Sequence, residues 1–306
     1  MLWLSSSNVS VVADHIMKTT VSVFSMLAVL LSSCKATDRS TKTAKRDIET
    51  DYTLVWADEF DKDGPPDPCN WTFEYGFVRN RELQWYQPDN ARCENGVLVI
   101  EGRRERVLNP NYRPGSRDWR QKSEYVDYTS ASIRTRGRHQ WTYGRFEMRG
   151  RIDTRPGLWP AFWTLGDARE WPGCGEIDIM EYYRGTLLAN ACWASERRWV
   201  PVWDTVRKPI AEFDNEWSSR FHVWRMDWDE DFIRLYVDDE LLNTIDLSIT
   251  VNATSYKANP FHEPHNIILC LAIGGTNGGD PSETEFPVRF EIDYVRVYEK
   301  TKNSID

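Results

Sequence analysis

Residues 171–183 read Trp-Pro-Gly-Cys-Gly-Glu-Ile-Asp-Ile-Met-Glu-Tyr-Tyr, placing Glu176, Asp178 and Glu181 within one run of six residues. Their companions Ile177, Ile179, Met180, Tyr182 and Tyr183 favour a packed β-strand. In a strand of strict period two, Glu176 and Asp178 share a face and Glu181 points the other way, because an offset of five changes the parity. One extra residue at Ile179 or Met180, a β-bulge, restores the parity. The stretch therefore predicts a bulged strand with three acids on one surface.

Such acids could form a solvated edge, a metal loop or a catalytic pair. A plain acidic edge has no need of the aromatic flank Trp159, Trp163, Trp171, Tyr182 and Tyr183. Calcium loops space their oxygen ligands through flexible Asp- and Gly-rich backbone, whereas Ile and Met separate these acids. Zinc would want His or Cys beside them, and the nearest histidines in sequence are His139 and His222. Two outer glutamates nearly two pleats apart suit the roughly 5–5.5 Å carboxyl separation of a retaining glycosidase better than the wider inverting gap.

The chain's 306 residues suffice for one large all-β domain, and its net charge of −9 offers no basic field for a nucleic-acid backbone. The 15 Trp, 13 Tyr and 12 Phe would suit the apolar faces of sugar rings, although most aromatics in a β protein are core. Toward the amino terminus, Met17 and Lys18 precede an apolar run from Val21 to Leu31, the layout of an export signal, with Met17 an alternative start. The run is short for a membrane span. Leu31-Ser-Ser-Cys34 resembles the bacterial lipobox, which implies a lipid on Cys34 and a domain held on the cell envelope. The region 1–34 is read as signal, 35–51 as a charged, Thr/Ser-rich tether, 52–299 as the folded domain and 300–306 as a tail. The scattered Cys69, Cys93, Cys174, Cys192 and Cys270 do not form a disulfide framework, and buried free thiols are expected.

Within the domain, strands are expected at Thr53 to Asp61, Val97 to Gly102, Ala131 to Thr135, Tyr143 to Ile152, Leu187 to Trp193, Phe221 to Trp228, Phe232 to Val237, Asn266 to Ile273 and Phe286 to Tyr298. Residues 103–122 and Trp199 to Asp214 read as loops. Many short strands with no internal repeat predict an all-β jelly-roll sandwich, one monomeric domain whose concave face holds a chain-like ligand.

Glu176-Ile-Asp-Ile-Met-Glu181, after Gly157-Leu-Trp-Pro-Ala-Phe-Trp163 and Trp171-Pro172, resembles the signature of glycoside hydrolase family 16. Val55-Trp-Ala-Asp-Glu-Phe60, Glu82-Leu-Gln84, Gly144-Arg-Phe-Glu-Met-Arg149, Gly274-Gly275 and Asp293-Tyr-Val-Arg-Val-Tyr298 resemble its laminarinase branch. The resemblance implies a β-jelly roll that cleaves internal β-glycosidic bonds with retention and without a catalytic cofactor. Glu176 would be the nucleophile, Asp178 its electrostatic partner and Glu181 the general acid/base. Trp159, Trp163 and Asn80 would line sugar subsites. Glu82, which shares parity with Asn80, and Trp119, Trp193 and Tyr182 are further candidates for substrate contact. Trp199 and Trp203 could lie over the cleft from a long loop. Glu59 and Asp293 are the positions matching a structural calcium site.

Leu188-Ala-Asn-Ala-Cys-Trp193 lacks the histidine frequent in laminarinases, Leu269-Cys-Leu271 stands for Leu-Asn-Leu, and Tyr182-Tyr-Arg184 replaces smaller residues. The expected substrate is a β-1,3-glucan. An endo-β-1,4-galactosidase acting on keratan-like or mucin-type O-glycans or an algal galactan is the rival, with Arg134, Arg136 and Arg138 a possible clamp if the chain is sulfated. A carbohydrate-binding envelope lipoprotein would not need all three acids at bulge spacing.

Overall fold

The computed structural model describes residues 51–254 and 257–301; the signal region, Cys34 and most of the tether lie outside the described residues. Short apolar runs punctuated by Gly, Pro, Asn and Asp fold into antiparallel strands that build two main sheets. One sheet has the order Pro201–Pro209, Thr186–Ala194, Glu176–Tyr183, Leu158–Gly166, His265–Ile273, Ser132–Arg134 and Thr72–Phe73. The other runs Glu240–Asp246, Phe232–Val237, His222–Trp228, Gly144–Arg151, Val288–Lys300, Val97–Gly102 and Ala91–Glu94. The last long strand, Val288–Lys300, pairs with Gly144–Arg151 along one edge. Its other edge is shared by Val97–Gly102 and Tyr52–Asp58.

The core lies between the sheets. Phe146, Met148, Trp224, Met226, Val295 and Val297 meet Phe162, Ile177, Ile267, Leu269 and Leu271, all buried. Alternation along His265–Ile273 shows how the cleft is floored: Ile267, Leu269 and Leu271 enter this core, while Ile268 and Cys270 join Tyr86, Ala161 and Trp163 in a smaller cluster on the opposite face. That strand is buried at every position. Its hydrophobic run is therefore continuous, as in a strand covered on both faces.

This is the expected jelly-roll sandwich, with three departures, the smallest being that Val107–Leu108, inside the expected loop 103–122, is a short strand paired with Tyr125–Val126. Trp199 to Asp214 is not simply a loop, because Pro201–Pro209 is an edge strand paired with Thr186–Ala194 over its whole length. None of its residues is buried, so no apolar period marks it in the sequence. A proline at each end is tolerated at a sheet edge, where the missing N–H costs little. Glu240–Asp246, which pairs with Phe232–Val237, is a further strand beyond those expected from the sequence. Cys93, Cys174, Cys192 and Cys270 are buried free thiols, but Cys69 is disulfide-bonded, contrary to the expectation for it.

Candidate active site

The turn ahead of the carboxylate strand sets its entry. Gly175 takes φ +78°, in the left-handed region, and its N–H donates to the Pro172 carbonyl at 3.1 Å. A side chain at the facing Gly166 would meet the Cys174 carbonyl oxygen at 2.1 Å, so glycine is required where the two strands begin to pair. Glu176–Tyr183 then pairs with Leu158–Gly166 on one side and Thr186–Ala194 on the other. Asp178 lies opposite Asn190 and Glu181 opposite Leu188, three residue steps against two. That irregularity is the bulge. Ile179 and Met180 both enter the core, and Glu176, Asp178 and Glu181 all line one cleft of about 780 Å³.

Each acid has specific partners. Trp171 Nε1 donates to Glu176 Oε2 at 2.8 Å, and Trp159 Nε1 donates to Glu181 Oε1 at 2.7 Å. The Asn190 side-chain amide donates to both Asp178 Oδ2 and Glu181 Oε2, each at 3.1 Å. Asp178, only 3 % exposed, is lifted by burial to about 7, although its hydrogen bonds to Asn190 and Glu176 favour the anion. Burial first, and then the Asp178 charge, raise Glu176 and Glu181 well above the ordinary carboxyl range. Charges packed this closely in a cavity of low polarity cannot all persist, so burial and mutual repulsion favour protonated forms within the triad.

The two outer acids differ in what opposes that rise. Glu176 has the Trp171 N–H and the positive field of Arg79. Glu181 has the Trp159 and Asn190 donors, and Glu176 adds to the negative field that Asp178 already exerts on it. Arg79 lines the cleft with its guanidinium 4.9 Å from the Trp163 ring centroid and ion-paired to Glu74. Glu74 also accepts from Arg134 at 3.2 Å and from Ser132 Oγ at 2.8 Å. Strand parity would put Arg79 on the face opposite Asn80 and Glu82. However, Asn80 and Arg81 have φ of +54° and +51°, so the segment is a turn and all three reach the cleft.

Trp159 and Trp163 line the cleft, as do Trp171, Trp199, Trp203 and Tyr183. Glu82 is buried beneath and accepts from Gln84 Nε2 at 2.8 Å. Three expected substrate contacts are elsewhere. Tyr182 follows the bulge with inward parity; it is 2 % exposed and its hydroxyl donates to the Thr154 carbonyl at 2.6 Å. Trp193 is buried in the core, its ring 6.4 Å from that of Phe261. Trp119 packs on Phe77 at 5.2 Å, and its neighbour Arg120 reaches the cleft instead, tied to the Val78 carbonyl at 2.8 Å.

Glu59 and Asp293 do not fit calcium. Both Glu59 carboxylate oxygens accept from Arg296, at 2.7 and 2.8 Å, and Asp293 accepts from Arg149 at 2.6 Å. Arginine charge thus already neutralises the oxygens an ion would need, and among the described residues no cluster of three or more metal-ligating side chains forms. The arginine clamp is not formed either, since Arg134 is committed to Glu74 and Arg136 to Asp167 at 2.9 Å. Cys174 is inert: burial, reinforced by Glu176, pushes its thiol up to about 12.

Residues 86–296 match the family model for glycosyl hydrolases family 16. The chain belongs to that family. It is a glycoside hydrolase, and the family works with retention of configuration. A β-glucanase from Rhodothermus marinus is 36 % identical over 296 residues, spanning 89 % of this chain and 92 % of that protein. A solved structure described under endo-acting O-glycanases that initiate mucin breakdown in the human gut microbiota superposes with a TM-score of 0.76. It is 34 % identical and covers 84 % of this chain and 94 % of that one. The catalytic domain of an endo-1,3-β-glucanase (laminarinase) from Thermotoga petrophila has a TM-score of 0.69 at 36 % identity, covering 83 % and 99 %.

Proposed function

We propose that this family 16 hydrolase cuts internal bonds of a β-1,3-glucan, with Glu176 as nucleophile and Glu181 as general acid/base. The observation that carries the assignment is the bulge, which brings three acids to one cleft floor, together with the unequal surroundings of the outer two. Glu181, surrounded by negative charge, keeps its proton and donates it to the departing glycosidic oxygen. Glu176 attacks the anomeric carbon as the anion, favoured by the Trp171 N–H and Arg79. Asp178 takes up the proton that Glu176 must lose, through the hydrogen bond between them. Water then enters, Glu181 removes its proton, and the glycosyl–Glu176 ester is hydrolysed.

The substrate preference rests on the similarity to the β-glucanase and the laminarinase. A second reading, a galactose-containing O-glycan or galactan, is favoured by one observation: the mucin-associated structure superposes with the higher TM-score of the two. Product analysis separates them. The domain is incubated with laminarin, mixed-linkage glucan, an agarose-type galactan and mucin O-glycans, with Glu176→Gln as blank. Glucose oligomers, absent from the blank, support the first reading, and galactose-terminated fragments replace it with the second. Glu181→Gln should lower kcat/KM by about 10²–10⁴-fold for substrates with poor leaving groups. A loss below tenfold would remove Glu181 from its role.

The same proposal places the enzyme on the cell envelope through a lipid on Cys34, motivated by the lipobox-like Leu31–Cys34. Metabolic labelling with a fatty acid should mark the full chain and not Cys34→Ser; equal labelling would refute the anchor.

A further inference from the structure

We propose that the cleft continues past Tyr183 into an anion subsite, formed by Arg81 and Arg184, that takes a sulfate or carboxylate substituent of the glycan chain. The proposal rests on the glycosidase reading above but not on which sugar forms the backbone.

A second cavity of about 460 Å³ is lined by Arg81, Leu83, Arg184 and the turn that includes Gly275, Thr276 and Asp280. It adjoins the main cleft at three points in the chain. Asn80, Tyr183 and Asn277 line the cleft, and their neighbours Arg81, Arg184 and Thr276 line this cavity. A polymer lying along the cleft and leaving it at this end therefore passes the two guanidinium groups.

The backbone presents them deliberately. Arg81 and Arg184 sit at φ +51° and +48°, a conformation that non-glycine residues seldom take and that needs support from its surroundings. The Thr276 N–H donates to the Asn80 carbonyl at 2.9 Å, and the Gly185 N–H donates to the Tyr182 hydroxyl at 3.2 Å, fixing both segments. Arg184 Nη2 also reaches the Thr276 carbonyl at 3.3 Å, tying one arginine loop to the glycine turn.

An exposed arginine is ordinarily just solvated, and what distinguishes these two is that they share one cavity in which neither is ion-paired among the described residues. Arg79, Arg120, Arg134 and Arg136 near the cleft each have a carboxylate within 4 Å. Among the described residues no carboxylate lies within 4 Å of Arg81 or Arg184, in a chain with more acids than bases. Asp280 lines the same cavity but accepts from the Ser282 N–H at 2.9 Å and pairs with neither arginine. Arg207, on the adjoining cleft wall, extends the positive field: with Arg184 it opposes the rise that burial and Glu181 impose on the Tyr183 hydroxyl. A neutral glucan makes no use of such a field, whereas a planar guanidinium pair matches the oxygens of a sulfate or carboxylate.

The test compares polymers that differ only in charge: laminarin with its partly sulfated and carboxymethylated forms, and desulfated with sulfated keratan. For whichever backbone is cut, the ratio of kcat/KM on the charged chain to kcat/KM on the neutral one is measured for wild type, Arg81→Gln, Arg184→Gln, Arg184→Lys and the double glutamine variant. We expect the ratio to fall about fivefold for each arginine lost, to be partly retained by lysine, and to lose its dependence on the arginines in high salt. The sulfated and carboxymethylated arms identify which anion is preferred. A ratio unchanged in the double variant overturns the subsite. If wild type cuts no polymer, the glycosidase reading fails separately. Calorimetric binding of sulfated and carboxymethylated oligosaccharides to Glu176→Gln, with and without the two arginines, then decides: affinity lost with the arginines supports the subsite, and equal affinity refutes it.

Discussion

Arg79 separates two glutamates that the sequence presents as near equals. It is a positioning residue in the proposed mechanism, acting on Glu176 through its charge while anchored between Glu74 and the face of Trp163. Burial and Asp178 raise Glu176, and Arg79 opposes them by favouring the anion. Removing the charge in Arg79→Met should therefore raise the pKa of Glu176 further. The acid limb of the kcat/KM profile, which reports the nucleophile losing its proton, should move to higher pH, with the largest loss of activity at the acid end. Arg79→Lys should recover much of the limb, because lysine keeps the charge although not the planar stack. A purely structural Arg79 would instead lower activity equally at every pH in both variants, and a profile of that shape would sink the proposal.

At the scale of the strand, one inserted residue decides which of two adjacent tyrosines meets substrate. The bulge at Ile179–Met180 was legible in the sequence, because three acids at positions 176, 178 and 181 share a face only if the period is broken. Carrying the same parity one step further puts Tyr182 inward and Tyr183 outward, which is why the expected substrate contact falls to Tyr183 and not to Tyr182. The Asn80–Arg81 turn was not legible, since positive φ at Asn and Arg leaves no mark as clear as glycine would. Neither was Pro201–Pro209, an edge strand with no buried face to impose alternation. Tyr182→Phe loses two hydrogen bonds, one to the Thr154 carbonyl and one from the Gly185 N–H, each worth about 1 kcal/mol, which for a domain of this size lowers Tm by roughly 4–8 °C, with kcat/KM on an uncharged polymer unchanged. Tyr183→Ala removes an aromatic wall beside Trp159 and should raise KM by roughly two- to tenfold with little effect on Tm. Thermal melts and steady-state kinetics on the two variants check the pair, and the reverse pattern would mean that the parity is wrong.

Across the whole molecule, two sheets with a continuous apolar core support a cleft whose acids work against the fold. Asp178 is buried, and its folded-state pKa stands at about 7 against an ordinary value of 3.8. Below about pH 4 the carboxyl is protonated both folded and unfolded, and it makes no difference to stability. As pH rises through the window from 3.8 to about 7, the unfolded chain releases this proton while the folded chain still holds it. The unfolded state therefore binds fewer protons, and the carboxyl costs the fold progressively more until about pH 7, beyond which the cost is constant. Glu176 and Glu181 are raised as well, so their contributions have the same sign. Asp178→Asn removes the ionisable group and leaves an amide oxygen to accept from Asn190. Its Tm should match wild type near pH 4 and exceed it by a growing margin toward pH 7, while activity falls because Glu176 loses its proton partner. Melting curves at pH 4, 5.5, 7 and 8.5 measure that margin. If it is the same at every pH, Asp178 ionises in the folded protein as it does in water, and the shared proton on which the mechanism depends does not exist.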